Sequence, residues 1–531
     1  MNTKTLYLCE KPSQARVLAK HLGAVKSEDG AFVSDDVIVI HAYGQLLNLA
    51  MPDNYLSDKS WTLSSLPILP QQWVWEVKPK HIEHFKQIGI WLGKADSVII
   101  ATDPDDEGEV IGRQILNSHG YSGPVKRLWI SALDANSLSA GLANLMPLSA
   151  TDAVYRAGRI RHELDWLFGM NLSRAFSVAF NKTSRIGRVK TRVLNELVDR
   201  ESEIERFAPV WFNAASMTLG DLRLEWDGQD SALFYGDATQ VFSGVHAGYC
   251  VSDEVETIIE DAPAPYSLSA LLCDAAELGV SLADGASAAQ SLYEAGAISY
   301  PRTSSTGLPS SGNQDFATHH AIIATGSCPS WMDEDGQTLF SLIQQNEFRH
   351  CLGAARLMVH KTVFDFGGQR FIGRKKWLDD VRHGGWLHTI HNRCESMIQK
   401  PERRFQSGEQ ISGKIQVERR VTQAPDRHTE ASILRRMVNM NVGTEATRVD
   451  AIGGLYKDLV ASVDGARVVQ PSSTGKALIE RLPQSVRGDA METMIQKAQN
   501  SVRQGQQDFS PHLIAATKWL AKTIQGVTAK Q

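Results

Sequence analysis

The sequence is poor in cysteine and has no long hydrophobic run. Only six of its 531 residues are cysteine, and no two of them form a C-x-x-C pair. Neither a zinc ribbon nor a disulfide framework is therefore expected. No run of 18 apolar residues occurs, and the first residues, MNTKTLYLCEKPS, lack the apolar core of a secretory signal. We expect a cytoplasmic protein with reduced cysteines and no membrane partner.

The sequence also lacks the motifs of ATP-using and zinc-hydrolase enzymes. H-E-x-x-H is absent. Ser473-Thr-Gly-Lys476 resembles part of a phosphate-binding loop, but Gln470 stands where the first glycine should be, and Ala477 follows the lysine. We therefore expect no use of ATP. The net charge of -5 excludes a uniformly basic nucleic-acid-binding protein, although it leaves room for local basic patches.

The length and the hydrophobic pattern indicate several domains, because 531 residues exceed one hydrophobic core. Residues 5–9 and 97–101 are short apolar runs typical of buried strands, and each precedes a helical pattern. The first helix is predicted over 14–22, with Ser13 as its N-cap. Two such strand-loop-helix units predict an α/β domain, in which ligands bind at the carboxyl ends of the strands.

A crowded acidic loop follows the second of these strands. In an extended chain Asp103 and Asp105 point to the same side, Glu107 then starts the helix, and Glu10 can approach from the neighbouring strand. Such oxygens suit Mg²⁺, which takes a few carboxylates plus water and phosphate. The alternative, negative charge favoured at a helix N-terminus, explains one or two acids. The loop has five within seven residues: Asp103, Asp105, Asp106, Glu107 and Glu109.

Three further patterns carry weaker signals. Tyr300, before a proline, is typical of a core residue, and Arg302 gains a role only if a phosphate lies nearby. His319 and His320 are adjacent, so they do not share a helix face and do not predict a two-histidine metal site. Residues 156–192 hold nine lysines and arginines against two acidic residues. This one-sided excess favours a phosphate-binding surface over a solvated helix face.

Taken in order along nearly the whole chain, these motifs resemble those of the type IA DNA topoisomerases, and most closely the topoisomerase III branch. Glu10-Lys11-Pro-Ser resembles the start of the Toprim domain, and residues 103–107 its D-x-D-x-E motif. The other matching motifs are Arg156 to Arg174, Gly187-Arg188-Val-Lys190-Thr191, Tyr300-Pro-Arg302-Thr, His319-His-Ala-Ile, His428-Thr-Glu and Gly443-Thr-Glu-Ala-Thr-Arg448.

Four positions depart from the family pattern. Asp106 stands where the family usually has arginine, and Lys190 replaces the usual glutamine. Arg192 and Ala324 stand where proline is common. None of these changes removes a presumed catalytic group, so they bear on metal affinity and DNA contacts.

The resemblance implies a multidomain fold of α/β, helical and β-rich parts: a Toprim domain and a toroidal type IA core with helical domains and a β-rich arch. The implied domains are Toprim (1–150, with an insertion near 25–75 that packs on the helical domain), helical DNA-binding (151–210 and 429–531), arch (211–264 and 415–428) and tyrosine-bearing (265–414).

The resemblance also implies an activity: ATP-independent cleavage of single-stranded DNA through a 5′-phosphotyrosine, strand passage and religation, which relaxes negative supercoils or decatenates DNA. Tyr300 would be the nucleophile, Arg302, Lys11 and His319 would stabilise the phosphate, and Glu10 would transfer a proton. Mg²⁺ would be held by Asp103, Asp105, Glu107 and Glu10. DNA would be bound by Arg161, Asp165, Arg174, Arg188, Lys190 and Thr191.

The implied substrate is single-stranded DNA or an underwound duplex. The protein is expected to be a monomer, and a helicase or a single-strand-binding protein is a candidate partner. Two alternatives stay open on the residues alone. A Toprim nuclease or primase would use the same metal site with Tyr300 as a core residue, and a DNA-binding subunit would have no activity. Trapping a covalent protein–DNA adduct separates all three.

Overall fold

The computed structural model describes residues 4–56, 61–229, 234–236, 242, 244–308, 320–389 and 397–528. Within these residues the chain forms two compact units. The first comprises Met1–Asp199, Tyr266–Leu342 and Arg427–Gln531, and the second comprises Arg200–Pro265 and Ile343–Asp426. Each unit is therefore assembled from segments that lie far apart in the sequence.

The regular elements alternate between strands and helices at first and become mainly helical at the end. The strands are β1 Thr5–Cys9, β2 Lys26–Glu28, β3 Ala31–Val33, β4 Val37–His41, β5 Leu47–Leu49, β6 Trp75–Val77, β7 Ser97–Ala101, β8 Val125–Arg127, β9 Met146–Pro147, β10 Trp211–Leu219, β11 Leu222–Trp226, β12 Val245–Glu260, β13 Ala355–Phe366, β14 Gln369–Trp377, β15 Gln410–Lys414, β16 Gln416–Val421, β17 Ala461–Val463 and β18 Val469–Pro471. The helices are α1 Pro12–His21, α2 Ile82–Leu92, α3 Asp106–Ser118, α4 Ala135–Ala143, α5 Asp152–Phe180, α6 Arg188–Arg206, α7 Leu268–Glu277, α8 Leu282–Glu294, α9 Glu334–Leu352, α10 Glu430–Asn439, α11 Arg448–Lys457, α12 Ser473–Arg481, α13 Gln484–Arg487, α14 Ala490–Arg503 and α15 Ser510–Thr528. None of these described helices is long and apolar enough to cross a bilayer.

The first unit contains a seven-stranded sheet in the order β2-β3-β4-β1-β7-β8-β9. Its central strands β4, β1, β7 and β8 are parallel. Leu6, Leu8 and Ile100 are fully buried, in a core that also includes residues of α2 and α3. Burial of these strands explains why they are continuous apolar runs in the sequence. Cys9 lies opposite both His41 and Ala101, so three strands end at the same edge.

Helix α1 begins earlier than the sequence predicted. Its N-cap is Lys11 and Pro12 occupies the first turn, so the assignment of Ser13 as N-cap is wrong. Gln14 provides the capping contact instead. Its Oε1 accepts hydrogen bonds from the backbone N–H groups of Glu10 and Lys11, both at 3.2 Å. The helix thereby fixes the backbone of two candidate catalytic residues.

The long helix α5 packs on α3, α14 and α15. At Gly158 a Cβ atom would lie 2.5 Å from the backbone oxygen of Asp106. No larger residue fits where α5 crosses the start of α3. This contact sets the distance between the basic helix and the acidic loop.

Segments around β5 and β6 also pack on α5. The Trp166 indole donates a 2.9 Å hydrogen bond to the backbone oxygen of Ala50. The Asn171 amide accepts from the backbone N–H of Ile68 at 2.6 Å and donates to its oxygen at 3.1 Å. These contacts involve part of the insertion that the sequence analysis placed near residues 25–75.

The second unit is built on an antiparallel seven-stranded sheet in the order β15-β12-β13-β14-β11-β10-β16. Its core includes the fully buried side chains of Leu224, Phe364 and Phe371. Strand β13 has no clear sequence period, because the polar residues His360 and Thr362 occupy fully buried positions in it. The domain limits drawn from the sequence stay a prediction.

Candidate active site

The adjacent carboxyl ends of β1 and β7 bring Glu10 and Asp103 together. The backbone N–H of Asp103 donates to Glu10 Oε2 at 3.3 Å. Lys11 Nζ lies 3.7 Å from Glu10 Oε1 and 3.4 Å from Asp103 Oδ2. Burial and the neighbouring charge of Asp103 raise the pKa of Glu10 well above its usual range. Glu10 and Asp103 thus share one lysine at the strand edge, and the raised pKa favours the protonated form of Glu10.

The remaining acids of the loop face different partners. Asp105 is the N-cap of α3, and its Oδ1 accepts from the backbone N–H of Gly108 at 2.7 Å. Glu107 Oε2 lies 2.5 Å from Arg161 Nη2 and 3.0 Å from His162 Nε2. Burial raises the pKa of Glu107, but His162 and Arg161 outweigh burial and bring that pKa to about 2.

Tyr300 reaches this loop from a distant part of the chain. Its hydroxyl donates a 2.6 Å hydrogen bond to Asp105 Oδ2, across 195 positions of sequence. The side chain is 1% exposed, and its ring makes an edge contact with Tyr293 at 5.5 Å between centroids. Burial and the charges of Asp105 and Asp103 raise the pKa of Tyr300 well above its usual range. The phenol is therefore protonated and aimed at the acidic loop.

Arg302 lies in the electrostatic field of the same groups. Burial lowers the pKa of its guanidinium, but Tyr300, Asp103 and Glu10 raise it further, so the net pKa is above the usual range. Arg302 is therefore charged and opposes the charge of the acids. His319, the other predicted phosphate-stabilising residue, lies outside the described residues.

Sequence reasoning missed the arginine that holds the loop in place. Arg127, at the end of β8, is fully buried and forms a 2.5 Å ion pair with Glu109. Its Nη atoms donate to backbone oxygens of the strand and loop, namely Ile100 at 3.2 Å, Thr102 at 2.9 Å, Asp103 at 2.8 Å and Leu128 at 2.5 Å. A lone arginine on a three-residue strand carries no sequence signal for this role.

A cleft of about 1080 Å³ opens beside these residues. It is larger than a typical small-molecule pocket, so it suits a polymeric ligand. Asp105 and Glu107 form part of its wall. Its cationic lining residues are Arg161, Arg188, Arg302, Arg448 and Arg503.

The structure brings some of the predicted DNA-binding residues to this cleft and leaves others elsewhere. Arg161 and Arg188 line it, whereas Lys190 and Thr191 line a separate cavity of about 350 Å³. Each of the predicted cations already has an acidic partner. The pairs are Arg161 with Glu107, Arg174 with Asp53, Arg188 with Asp165 and Glu492, and Lys190 with Asp458. DNA phosphates would have to displace these carboxylates.

Asp106, which stands where the family usually has arginine, forms an ion pair with an arginine from another helix. Arg503, at the end of α14, lies 2.5 Å from Asp106 Oδ2. Gln499, one turn earlier, donates to the same oxygen at 3.1 Å and to the backbone oxygen of Ala157 at 3.2 Å. The acidic loop is thus tied to α14, and the missed residue Arg503 supplies a guanidinium to the cleft.

The donor set fits a hard cation such as Mg²⁺, since the strand edge and the loop after it offer several carboxylate oxygens. Among the described residues no three His, Cys, Asp or Glu side chains are grouped to hold a metal. Each acid instead faces a lysine, arginine, glutamine, tyrosine or backbone N–H. Mg²⁺ that keeps part of its water shell needs only one or two protein carboxylates, so the chemistry of the site fits this ion.

Comparison with known proteins identifies the family of the chain. The sequence profile of the DNA topoisomerase family matches residues 149–318 and 310–512, and that of the Toprim domain matches residues 5–133. The DNA topoisomerase 3 of Bacillus subtilis (strain 168) is 27% identical, over 92% of this chain and 77% of the relative. That of Bacillus licheniformis is 26% identical, over 99% of this chain and 82% of the relative.

A solved structure shows the same fold. Full-length topoisomerase I from Thermotoga maritima matches with a TM-score of 0.79 and 20% identity, over 98% of this chain and 90% of that chain. The predicted fold, a Toprim domain with a type IA topoisomerase core, is confirmed. The chain therefore belongs to the family of type IA DNA topoisomerases.

Proposed function

We propose that Tyr300 is the nucleophile with which this topoisomerase cleaves single-stranded DNA, through a 5′-phosphotyrosine intermediate. One observation carries the proposal: the Tyr300 hydroxyl donates to Asp105 in the acidic loop, although the two residues are 195 positions apart. The contact sets the phenol hydroxyl against a carboxylate that lines the cleft. Membership of a topoisomerase family argues against a nuclease, a primase or an inactive subunit.

The cleavage step is an ester exchange. Tyr300 Oη loses its proton to Asp105 and bonds to phosphorus, while the bond from phosphorus to the 3′-oxygen breaks. That oxygen takes a proton from Glu10, which lies beside Lys11 and Asp103. Arg302 and Lys11 offset the charge on the phosphate. Religation reverses these transfers, so no ATP is needed.

The same acids form the proposed metal site. Asp103, Asp105, Glu107 and Glu10 would hold Mg²⁺ after exchange of their present partners. When bound, Mg²⁺ would neutralise the acidic loop and hold the scissile phosphate for religation. The role predicted for His319 stays a prediction, because that residue lies outside the described residues.

The proposed substrate is single-stranded DNA or an underwound duplex, held in the cleft by Arg161 and Arg188. Strand passage would relax negative supercoils or decatenate DNA. The protein would act as a monomer, with a helicase or single-strand-binding protein as a candidate partner. Arg174, Asp165, Lys190 and Thr191 stay predicted DNA contacts.

A labelling experiment tests this proposal. Single-stranded DNA is labelled at either end, incubated with the protein and Mg²⁺, and run on a denaturing gel. The 3′-labelled fragment should migrate with the protein, and the 5′-labelled fragment should run free with a 3′-hydroxyl. Free labelled ends without any covalent adduct would refute a phosphotyrosine intermediate.

Removing the carboxylate of Asp458 should strengthen DNA binding. Asp458 pairs with Lys190 and also with Arg185 at 2.6 Å. Asp458→Asn frees both cations for phosphates, so the slope of log K against log salt should steepen by about 0.7 for each new contact. Fluorescence anisotropy at several salt concentrations measures the slope. Asp35→Asn, which removes an equal charge from an exposed loop, should not change it, and equal slopes in both variants would contradict the assignment.

Reversing the charge of Asp106 or of Arg503 alone should lower the cleavage rate, and reversing both charges together should restore it. Asp106→Arg alone faces Arg503 and Arg161 with like charge, so the cleavage rate should fall several-fold. The double variant D106R/R503D re-forms the pair, and a coupling of about 1 kcal/mol is expected for partly exposed partners. Single-turnover cleavage separates rate from binding. If the effects of the two substitutions simply add, the pair does not position the loop.

A further inference from the structure

The loops that follow β4 and precede α2 form an aromatic and cationic surface together with Arg16 of α1 and His84 of α2. Tyr43 stands two residues after β4 and is 51% exposed. Its ring stacks on His81 at 5.9 Å and lies 4.5 Å from His84. Contacts with the two imidazoles fix the orientation of the exposed Tyr43 ring, so that a planar ligand can stack on it. We call this surface the Tyr43 patch, which comprises Tyr43, Arg16, Lys78, Lys80, His81 and His84.

The cations of the Tyr43 patch differ from those of the basic helices. Arg16 and Lys80 are exposed and Lys78 is partly buried. Within the described part of the chain, these three cations form no ion pair with an acid. The predicted DNA-binding cations Arg188 and Lys190, by contrast, already have acidic partners. The cations of the Tyr43 patch can therefore bind a phosphate without first releasing an acidic partner.

The Tyr43 patch adjoins the catalytic acids. The backbone N–H of Gly44 donates to the backbone oxygen of Glu10 at 3.0 Å, and that of Lys78 donates to Leu46 at 2.9 Å. Burial and Lys80 lower the pKa of Lys78, while the charge of Glu107 raises it. The loop that carries Tyr43 is thus hydrogen-bonded to Glu10, the proposed proton donor.

Two side chains within two positions of Tyr43 in the chain, His41 and Gln45, have polar atoms without hydrogen-bond partners among the described residues. His41 is 8% exposed and contacts Tyr43 at 5.0 Å between centroids. Among the described residues neither of its ring nitrogens has a hydrogen-bond partner, and the same holds for both amide atoms of Gln45. Buried polar atoms are nearly always paired in folded proteins, so these atoms are available to hydrogen-bond a ligand.

We propose that the Tyr43 patch binds a nucleotide of the single-stranded DNA next to the scissile phosphate, with the base stacked on Tyr43. This inference rests on the proposed function. Lys78, Lys80 and Arg16 would contact the flanking phosphates. Stacking on an aromatic ring together with backbone cations is the usual chemistry of single-strand binding, and it tolerates any base. The patch would hold the strand while the phosphotyrosine exists.

Photocrosslinking tests the patch. Oligonucleotides with 5-iododeoxyuridine at successive positions are irradiated with the intact protein, and the crosslinked peptide is identified by mass spectrometry. One position, or two adjacent ones, should crosslink to Tyr43. Tyr43→Leu should weaken binding about ten-fold, as expected for one stacked base, and Lys78→Gln with Lys80→Gln should reduce its salt dependence.

The matched control is Tyr249→Leu, since Tyr249 is a tyrosine of similar exposure, 49%, in the second unit. Its DNA affinity should stay within two-fold of that of the native protein. Absence of any crosslink at Tyr43, with unchanged affinity in both patch variants, would overturn the inference. The covalent adduct is assayed in the same preparations: if it forms while the patch variants bind normally, only the patch is refuted, and if it never forms, the proposed function fails.

Discussion

Tyr300→Phe should abolish the covalent protein–DNA adduct and the relaxation of negatively supercoiled DNA. Loss of the proposed nucleophile is expected to cost at least about 10³-fold in turnover, because the phenylalanine ring cannot form the covalent ester with the phosphate. The fold should survive, since the buried ring stays and Asp105 keeps its hydrogen bond from Gly108. Denaturing gels measure the adduct, and agarose gels of supercoiled plasmid measure relaxation.

Tyr293 provides the matched control for this experiment. It is also 1% exposed, and its ring lies 5.5 Å from that of Tyr300. Tyr293→Phe removes an equivalent hydroxyl from the same buried region and should keep the adduct. If the adduct instead persists in Tyr300→Phe and disappears in Tyr293→Phe, Tyr293 and not Tyr300 is the nucleophile.

Arg127→Ala should destabilise the first unit by about 3–5 kcal/mol, the range expected when one partner of a buried ion pair is removed. The substitution leaves Glu109 buried with one arginine fewer and removes the donors that satisfy the backbone oxygens of Ile100, Thr102 and Asp103. The loop should loosen first. Hydrogen exchange of the β7 amides measures the loss, and Mg²⁺-dependent cleavage should fall with it.

Lys126 is the matched control for Arg127. It precedes Arg127 in β8, and its side chain is exposed. Lys126→Ala should change the free energy of unfolding by less than about 0.5 kcal/mol, as expected at an exposed surface position. A loss below 1 kcal/mol in Arg127→Ala would show that Arg127 does not hold the loop.

Much of the first sheet could be predicted from local pattern. Strands β1 and β7 were expected at 5–9 and 97–101, and both are confirmed with those limits. Their apolar runs are visible because buried parallel strands have few polar positions. The N-cap of α1 was not predicted correctly, because the capping hydrogen bonds are made by Gln14, a residue type not typical of helix caps, and not by Ser13. Strand β13 was not predicted, because buried His360 and Thr362 interrupt its hydrophobic period.

The sequence by itself determined which groups are available: an acidic loop after β7, a glutamate and lysine after β1, a tyrosine motif and an excess of basic residues. It also determined the family, because these motifs occur in one order. Only the tertiary structure decided which groups meet. The contacts of Tyr300 with Asp105, Arg127 with Glu109 and Arg503 with Asp106 join separate segments. The hydrophobic period of a sequence shows only which residues share a face of one helix or strand. These three pairs depend instead on how separate elements pack together.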